Sequence, residues 1–436
     1  MAAPLGGSGK LMNIILNPNK AEWTALLQRP HRDASELRQT VKTVLDDIQA
    51  RGDEAVNEYE LKFDKVELPS LAVTEAEMEE AEALVSDELK QAIALAHENI
   101  AKFHAAQKFE PITVETQPGV LCWQKSIAIE KVGLYIPGGT APLFSTVLML
   151  ATPAKIAGCK DIVLCSPPNK EGKLNPAILV AARIAGVNRI FKAGGVQAIG
   201  AMAYGTESVP KVSKIFGPGN QFVMAAKQQV SLHEVAIDMP AGPSEVAIVA
   251  DDTCNPVFVA ADLLSQAEHG ADSQSVLFTD SQKVADAVSA EVDRQLALLP
   301  RKELAAQSLT HSKIFILKDI NEAFDICNEY APEHLILSMD SAMDYCDKVI
   351  NAGSVFVGHY SCESAGDYAS GTNHTLPTSG YAKAYSGVNL DSFCRKVTFQ
   401  NLTAEGVQNI GHAVELMAEA EMLDAHKNAM TYRIHN

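Results

Sequence analysis

Between residues 128 and 357, short apolar runs alternate with longer stretches of helical spacing, and no other feature limits the fold as strongly. Strand candidates are 131–136, 161–165, 189–192, 214–216, 245–249, 275–278, 313–317, 334–337 and 354–357. Helical candidates lie between them at 141–158, 173–186, 197–205, 219–230, 256–268, 281–297, 321–330 and 341–350. Strands that alternate with helices build parallel sheets with helices on both faces. The strand candidates divide near residue 240, so the expected class is α/β with two doubly wound, Rossmann-like lobes. The expected units are a helical N-terminal segment at 12–127, a first lobe at 128–240, a second lobe at 241–358, and an irregular region with a C-terminal tail at 359–436.

The flanks read differently. Residues 20–110 are helical in pattern; Leu37, Val41, Val44, Leu45 and Ile48 share a face within 32–51, and Gly52 follows as a stop. Thr74 and Glu77 have capping-box spacing. Residues 359–400 lose the alternation and are dense in Gly, Ser, Thr and Tyr. A long irregular stretch of this kind in a compact protein is often functional. Helical periodicity returns through Val407, Ile410, Val414 and Met417, in a tail expected to pack on a second subunit. Residues 1–11 read as a tag or vector remnant, with Met12 as the original start.

Composition excludes several classes. Lys and Arg total 36 against 54 Asp and Glu, a net charge of −18, so a general nucleic-acid or anionic-membrane binder is not expected. No apolar run approaches the roughly 20 residues of a membrane span. The eight cysteines include no C-x-x-C pair, and no export signal precedes the chain, so free thiols in a reducing cytoplasm are expected.

The strand ends of the first lobe run into Pro137-Gly138-Gly139, Ser166-Pro167-Pro168, Gly194-Gly195 and Gly217-Pro218-Gly219-Asn220. Four such turns on one sheet edge point to a ligand site, because Gly lets backbone N–H groups approach a ligand. None is a dinucleotide fingerprint: Phe222 occupies the third glycine position after Gly217-Pro218-Gly219. A P-loop is absent from the sequence as well.

Chemistry-bearing residues cluster elsewhere. Gln266 and His269 share a helix face at i,i+3, whereas ligand preference alone would select Glu268 with His269. Glu333 and His334 open a strand and could move protons, although neighbours on a strand point to opposite faces. Asp367 through His374 pack a carboxylate, hydroxyls and an imidazole between glycines. Glu421 and His426 lie in the tail, where a lone His is ordinarily a surface residue. Taken together, Gln266, His269, Asp367 and His426 would give mixed N/O ligation suited to zinc or a similar ion.

In order along the chain, seven motifs resemble the histidinol dehydrogenase family: residues 132–139, 193–199, 216–220, 241–245, 265–270, 331–335 and 366–378. The resemblance spans roughly residues 20–432. It implies oxidation of L-histidinol to L-histidine through the aldehyde, with two NAD in succession and one Zn2+ per subunit, in the last steps of histidine biosynthesis. Gln266, His269, Asp367 and His426 would hold zinc, with His426 reaching across a homodimer to complete the site in trans. Tyr135, Gln197 and Asn220 would contact NAD, and Glu333 and His334 would be the catalytic pair. The substrate would meet Ser244, His374 and Glu421, together with the zinc ligands and His334. In one departure, Met422 follows Glu421 where the family commonly has Gly.

Other readings stay open at this level. They are a zinc- and NAD-dependent dehydrogenase of another small alcohol, a zinc hydrolase in which Glu333 activates water, and a non-catalytic binding module. A thiohemiacetal route would use Cys122 or Cys159. The chain ends soon after the tail motif, so a monofunctional, bacterial-type cytoplasmic enzyme is expected, with a small-molecule substrate and neither nucleic acid nor membrane as a partner.

Overall fold

Continuous apolar runs along the central strands bury both faces of two parallel sheets, as the computed structural model shows for residues 11–30, 35–138 and 142–435. The first sheet has five strands in the order Arg189–Lys192, Asp161–Ser166, Lys131–Tyr135, Lys214–Phe216, Ala236–Ile237. Val132, Leu134, Ile162 and Leu164 pack on helices Asp87–Ala105, Phe144–Ala157 and Pro176–Ile184. Their strand neighbours Tyr135, Val163, Cys165 and Ile215 pack on helices Ser35–Arg51, Gly195–Tyr204 and Gln221–Val230.

The second parallel sheet has six strands, ordered Asn13–Leu16, Lys313–Ile316, Gln274–Thr279, Glu245–Ala250, His334–Ser338, Ser354–Val357. Ile248, Leu277, Ile314 and Ile336 face helices Pro256–Ala267, Gln282–Leu296 and Lys302–Leu309. Val249, Phe278, Phe315 and Leu337 face helix Ile320–Tyr330 and Trp23. The chain order reverses between Lys131–Tyr135 and Lys214–Phe216 in the first sheet and between Glu245–Ala250 and His334–Ser338 in the second, which leaves a crevice at each place.

Several expectations are corrected. The 12–127 segment is not wholly helical, because Asn13–Leu16 forms an edge strand paired in parallel with Lys313–Ile316. Its signal is four residues long, and only the distant partner reveals it. Ile112–Gln117, Val120–Ala128 and Cys394–Leu402 form a three-stranded antiparallel sheet. The last of these extends from residues expected to be irregular, as does the short helix Glu363–Tyr368. Helix Lys302–Leu309 was not foreseen, and 341–350 is a 3₁₀ helix over Ala342–Lys348. The helix expected at 32–51 is described from Ser35; residues 32–34, Gly139 and the proposed remnant up to residue 10 lie outside the described residues.

The capping box forms as expected: Thr74 Oγ1 accepts from the Glu77 N–H, and Glu77 Oε2 accepts from the Thr74 N–H at 2.8 Å. Tail helices Ala404–Ala420 and Asp424–His435 pack on each other, and the first also meets the antiparallel sheet. All eight cysteines are free. No helix among the described residues is long and apolar enough to cross a membrane.

Candidate active site

The first sheet's crevice opens between Lys131–Tyr135 and Lys214–Phe216; of the candidate NAD residues, Tyr135 ends the first of these strands, Asn220 follows the second, and Gln197 lies in the first turn of helix Gly195–Tyr204. Gly217 has φ 128°, and an added Cβ would lie 2.1 Å from the Tyr135 carbonyl oxygen, so this turn requires glycine. The buried Lys227 Nζ donates to the Gly217 carbonyl at 2.7 Å and to Asp238 Oδ1 at 2.5 Å. The Gly217 N–H donates to Asp238 Oδ2 at 2.9 Å, so one ion pair holds both backbone polar groups of Gly217. Asn220 Oδ1 caps helix Gln221–Val230 by accepting from the N–H groups of Phe222 and Val223, which leaves its amide nitrogen for a ligand. Tyr135 Oη accepts from the Gly195 N–H at 3.1 Å, and burial pushes its phenol pKa up.

Buried Gln197 donates through Nε2 to Glu60 Oε1 at 2.9 Å and to Asp64 Oδ2 at 3.3 Å, while its own Oε1 has no partner. Glu60 also accepts from the Gly194 N–H at 2.8 Å. Burial raises the Glu60 carboxyl to about 8 against the opposing pull of the Gly194 N–H, and Asp64 is likewise raised by burial. The folded state therefore binds a proton near neutral pH that the unfolded chain releases at the ordinary glutamate value. That contribution to stability is full below the ordinary value and is lost as pH rises toward about 8. Urea midpoints measured from acidic to mildly alkaline pH should fall across this window, and Glu60→Gln should flatten the decline; an equally steep decline in the variant would contradict this reading.

The second group lies at the amino edge of the six-stranded sheet, where Glu245–Ala250 and His334–Ser338 run side by side. Glu333 and His334 are both buried there. Glu333 Oε2 accepts from the Glu245 N–H at 2.8 Å and from Gln266 Nε2 at 3.3 Å. His334 Nδ1 lies 3.2 Å from the Glu245 carbonyl oxygen, which requires the proton on Nδ1 and leaves the Nε2 lone pair open. His334 Nε2 is 3.4 Å from Asp367 Oδ1. Although neighbours on a strand diverge, the two functional groups stay close: His334 Nδ1 is 3.6 Å from Glu333 Oε2. Burial works against the His334 charge, but the surrounding Glu363, Glu333 and Asp367 carboxyls outweigh it and raise the imidazole well above its usual pKa; a cation held by Glu363 and Asp367 would offset that negative charge, which the base form of Nε2 requires.

Glu363 is the site residue that sequence reasoning missed. It stands four residues before Asp367 on helix Glu363–Tyr368, and that i,i+4 carboxylate spacing was the available signal. One ligand atom each from His269, Glu363 and Asp367 lies within 4.8 Å of the others. Gln266 Oε1, Glu363 Oε2, Asp367 Oδ1 and His334 Nε2 are all buried without hydrogen-bond partners. Burial raises the carboxyls of Glu363 to about 8 and Asp262 to about 7. Orphaned acceptors and closely packed carboxyls are what a bound cation would satisfy, so these residues fit a metal of the zinc type. Gln266, not Glu268, is the residue directed at Glu333 and His334.

The remaining candidates divide. His374 belongs to the site region: its Nδ1 meets the Asp367 carbonyl at 2.9 Å, and its Nε2 meets Thr146 Oγ1 of helix Phe144–Ala157 at 3.2 Å. Burial lowers its pKa. Ser244 precedes Glu245 on the same edge. Glu421 and His426 are exposed at the junction of the tail helices, and His426 is not part of the metal-ligand cluster formed within this chain. Met422 there has φ 60°, a left-handed conformation that glycine adopts at less cost. Cys159 sits under Phe393 with its thiol pushed up to about 12 by burial, and Cys122 lies in the antiparallel sheet, so neither resembles an activated nucleophile.

Residues 27–434 match the family model described as histidinol dehydrogenase. The chain belongs to the histidinol dehydrogenase family. Similar proteins include the histidinol dehydrogenase of Bacteroides thetaiotaomicron, 63% identical over 97% of this chain and 99% of that protein. The Escherichia coli K12 histidinol dehydrogenase is 55% identical over 94% of each. The crystal structure of histidinol dehydrogenase from Elizabethkingia anophelis superposes with a TM-score of 0.96 at 55% identity, covering 98% of this chain and 99% of that one. Membership makes the chain an oxidoreductase with a place in histidine biosynthesis and sets aside the hydrolase and binding-module readings.

Proposed function

We propose that this chain oxidises L-histidinol to L-histidine through the aldehyde, using two NAD in succession and one zinc ion per subunit. The observation that carries the reading is the group of unpartnered buried atoms on Gln266, His334, Glu363 and Asp367 beside the Glu333 carboxylate. Gln266, His269 and Asp367, with His426 from the second subunit of a homodimer, would hold the metal; Glu363 stands close enough to share in that role or to orient it. When bound, zinc supplies a template for the imidazole and amine nitrogens of the substrate, and NAD supplies the hydride acceptor.

The chain's own groups move the protons. His334, held by the Glu245 carbonyl with its Nε2 free, accepts the hydroxyl proton of the alcohol as the carbinol hydride leaves. Glu333 then takes a proton from the water that adds to the aldehyde carbon, while His334 returns its proton to the aldehyde oxygen, giving the hydrate and freeing Nε2 again. His334 accepts the hydrate's hydroxyl proton as the second hydride leaves and the carboxylate forms. Tyr135, Gln197 and Asn220 would line the NAD crevice, and Ser244, His374 and Glu421 would hold the substrate. A cytoplasmic setting suits the eight free thiols.

Completion of the site in trans has a direct test. Glu333→Gln and His426→Ala chains, each inactive alone, are mixed, unfolded and refolded together. A tail acting across the dimer restores about a quarter of the parental activity, because half of the sites in the mixed dimers carry neither defect. No recovery would contradict the trans assignment.

A further inference from the structure

The structure assigns Arg29 and Glu245 as positioning residues, an ion pair that sets the backbone of Glu245 and through it both members of the proposed catalytic pair. The inference rests on the reading of Glu333 and His334 given above. The backbone of one residue serves both: the Glu245 N–H donates to Glu333 Oε2 at 2.8 Å, and the Glu245 carbonyl accepts from His334 Nδ1 at 3.2 Å. A shift at Glu245 would turn the carboxylate that activates water and release the tautomer that leaves Nε2 as the base.

The Glu245 side chain is the anchor for that backbone. It is fully buried, and Arg29 meets it with both arms, Nε to Oε1 at 2.5 Å and Nη2 to Oε2 at 2.9 Å. Arg29 Nη2 also donates to the Tyr330 carbonyl at 2.7 Å, and its guanidinium lies 4.1 Å from the centroid of the Tyr330 ring. The Ser379 N–H donates to Glu245 Oε1 at 2.7 Å. One carboxylate therefore ties together the N-terminal segment, the approach to Glu333 and the loop that follows His374. Two non-glycine residues on those connections hold left-handed conformations, Ala331 at φ 52° and Ser379 at φ 56°. Such backbone persists only where its surroundings over-determine it, and it gathers at functional sites. Arg29 is suited to the task because its planar fork fixes direction, whereas lysine would supply only a point charge.

Arg29 borders a cavity of about 330 Å³ that Gln28, Tyr330, Ser379 and Lys383 also line, so a small cation can reach the space that truncating Arg29 would leave. The test compares zinc-loaded parent, Arg29→Lys, Arg29→Ala and Glu333→Gln in steady-state turnover of L-histidinol and NAD. Circular dichroism checks folding. Arg29→Lys should lose about 10–100-fold in kcat while KM for both substrates stays within about twofold. Guanidinium ion at low concentration should restore part of the Arg29→Ala activity and none of the Glu333→Gln activity. An unchanged kcat in Arg29→Lys, or a loss confined to KM, alongside a crippled Glu333→Gln, would overturn the positioning role alone. Full turnover by Glu333→Gln would overturn the catalytic pair and the positioning role together.

Discussion

Glu333→Gln is expected to lower oxidation of the aldehyde by about 10²–10⁴-fold, the usual worth of a positioned general base. Glutamine keeps the size of the side chain, and its carbonyl can still accept from the Glu245 N–H that now binds Oε2 at 2.8 Å. It cannot take a proton from water. Gln266, His269 and Asp367 keep their ligand atoms, and the Gln266 amide that now donates to Glu333 can donate to the glutamine carbonyl, so the zinc content of the purified variant should match the parent. Supplying the aldehyde directly isolates this step from oxidation of the alcohol. Equal rates of aldehyde oxidation in parent and variant would remove Glu333 from the mechanism.

Asp238→Ala should destabilise the fold by about 3–5 kcal/mol, because it leaves a buried lysine charge unpaired. The side chains of Lys227 and Asp238 are 1% and 2% exposed; they meet each other and the backbone of Gly217, and Asp238 also accepts from the Met239 N–H. The same variant frees the Gly217 N–H from its acceptor, so the turn leading to Asn220 loosens and KM for NAD should rise. Urea denaturation and a NAD titration read the two effects separately. A loss below about 1 kcal/mol, the worth of an exposed pair, with an unchanged KM for NAD would show that the pair anchors neither the core nor the turn.

What the sequence reveals follows from the range of each signal. The parallel sheets are legible because their central strands bury both faces and alternate in chain order with helices that pack on them. The antiparallel sheet is not, because all six residues of Ile112–Gln117 are exposed and Val120–Ala128 finds its second partner in Cys394–Leu402, far along the chain. The edge strand Asn13–Leu16 has the same difficulty. At the site, helix spacing in the sequence suggests Gln266 with His269, although the helix ends at Ala267 and His269 follows it in a bend; no local pattern shows that Glu245 joins Arg29 across more than two hundred residues. Glu60 likewise reads as one acid in a helical stretch until the fold brings it to Gly194 and Gln197. His426 remains exposed within the chain, so its proposed role depends on a second subunit.

The central claim is that one site carries out both oxidations. The most direct measurement is the number of NADH formed per L-histidinol consumed by the zinc-loaded protein in excess NAD. The account predicts a ratio near two, with L-histidine as the product, because His334 serves both hydride departures and Glu333 hydrates the aldehyde between them. A ratio near one, with aldehyde accumulating, would contradict it and leave an alcohol dehydrogenase that stops after its first step.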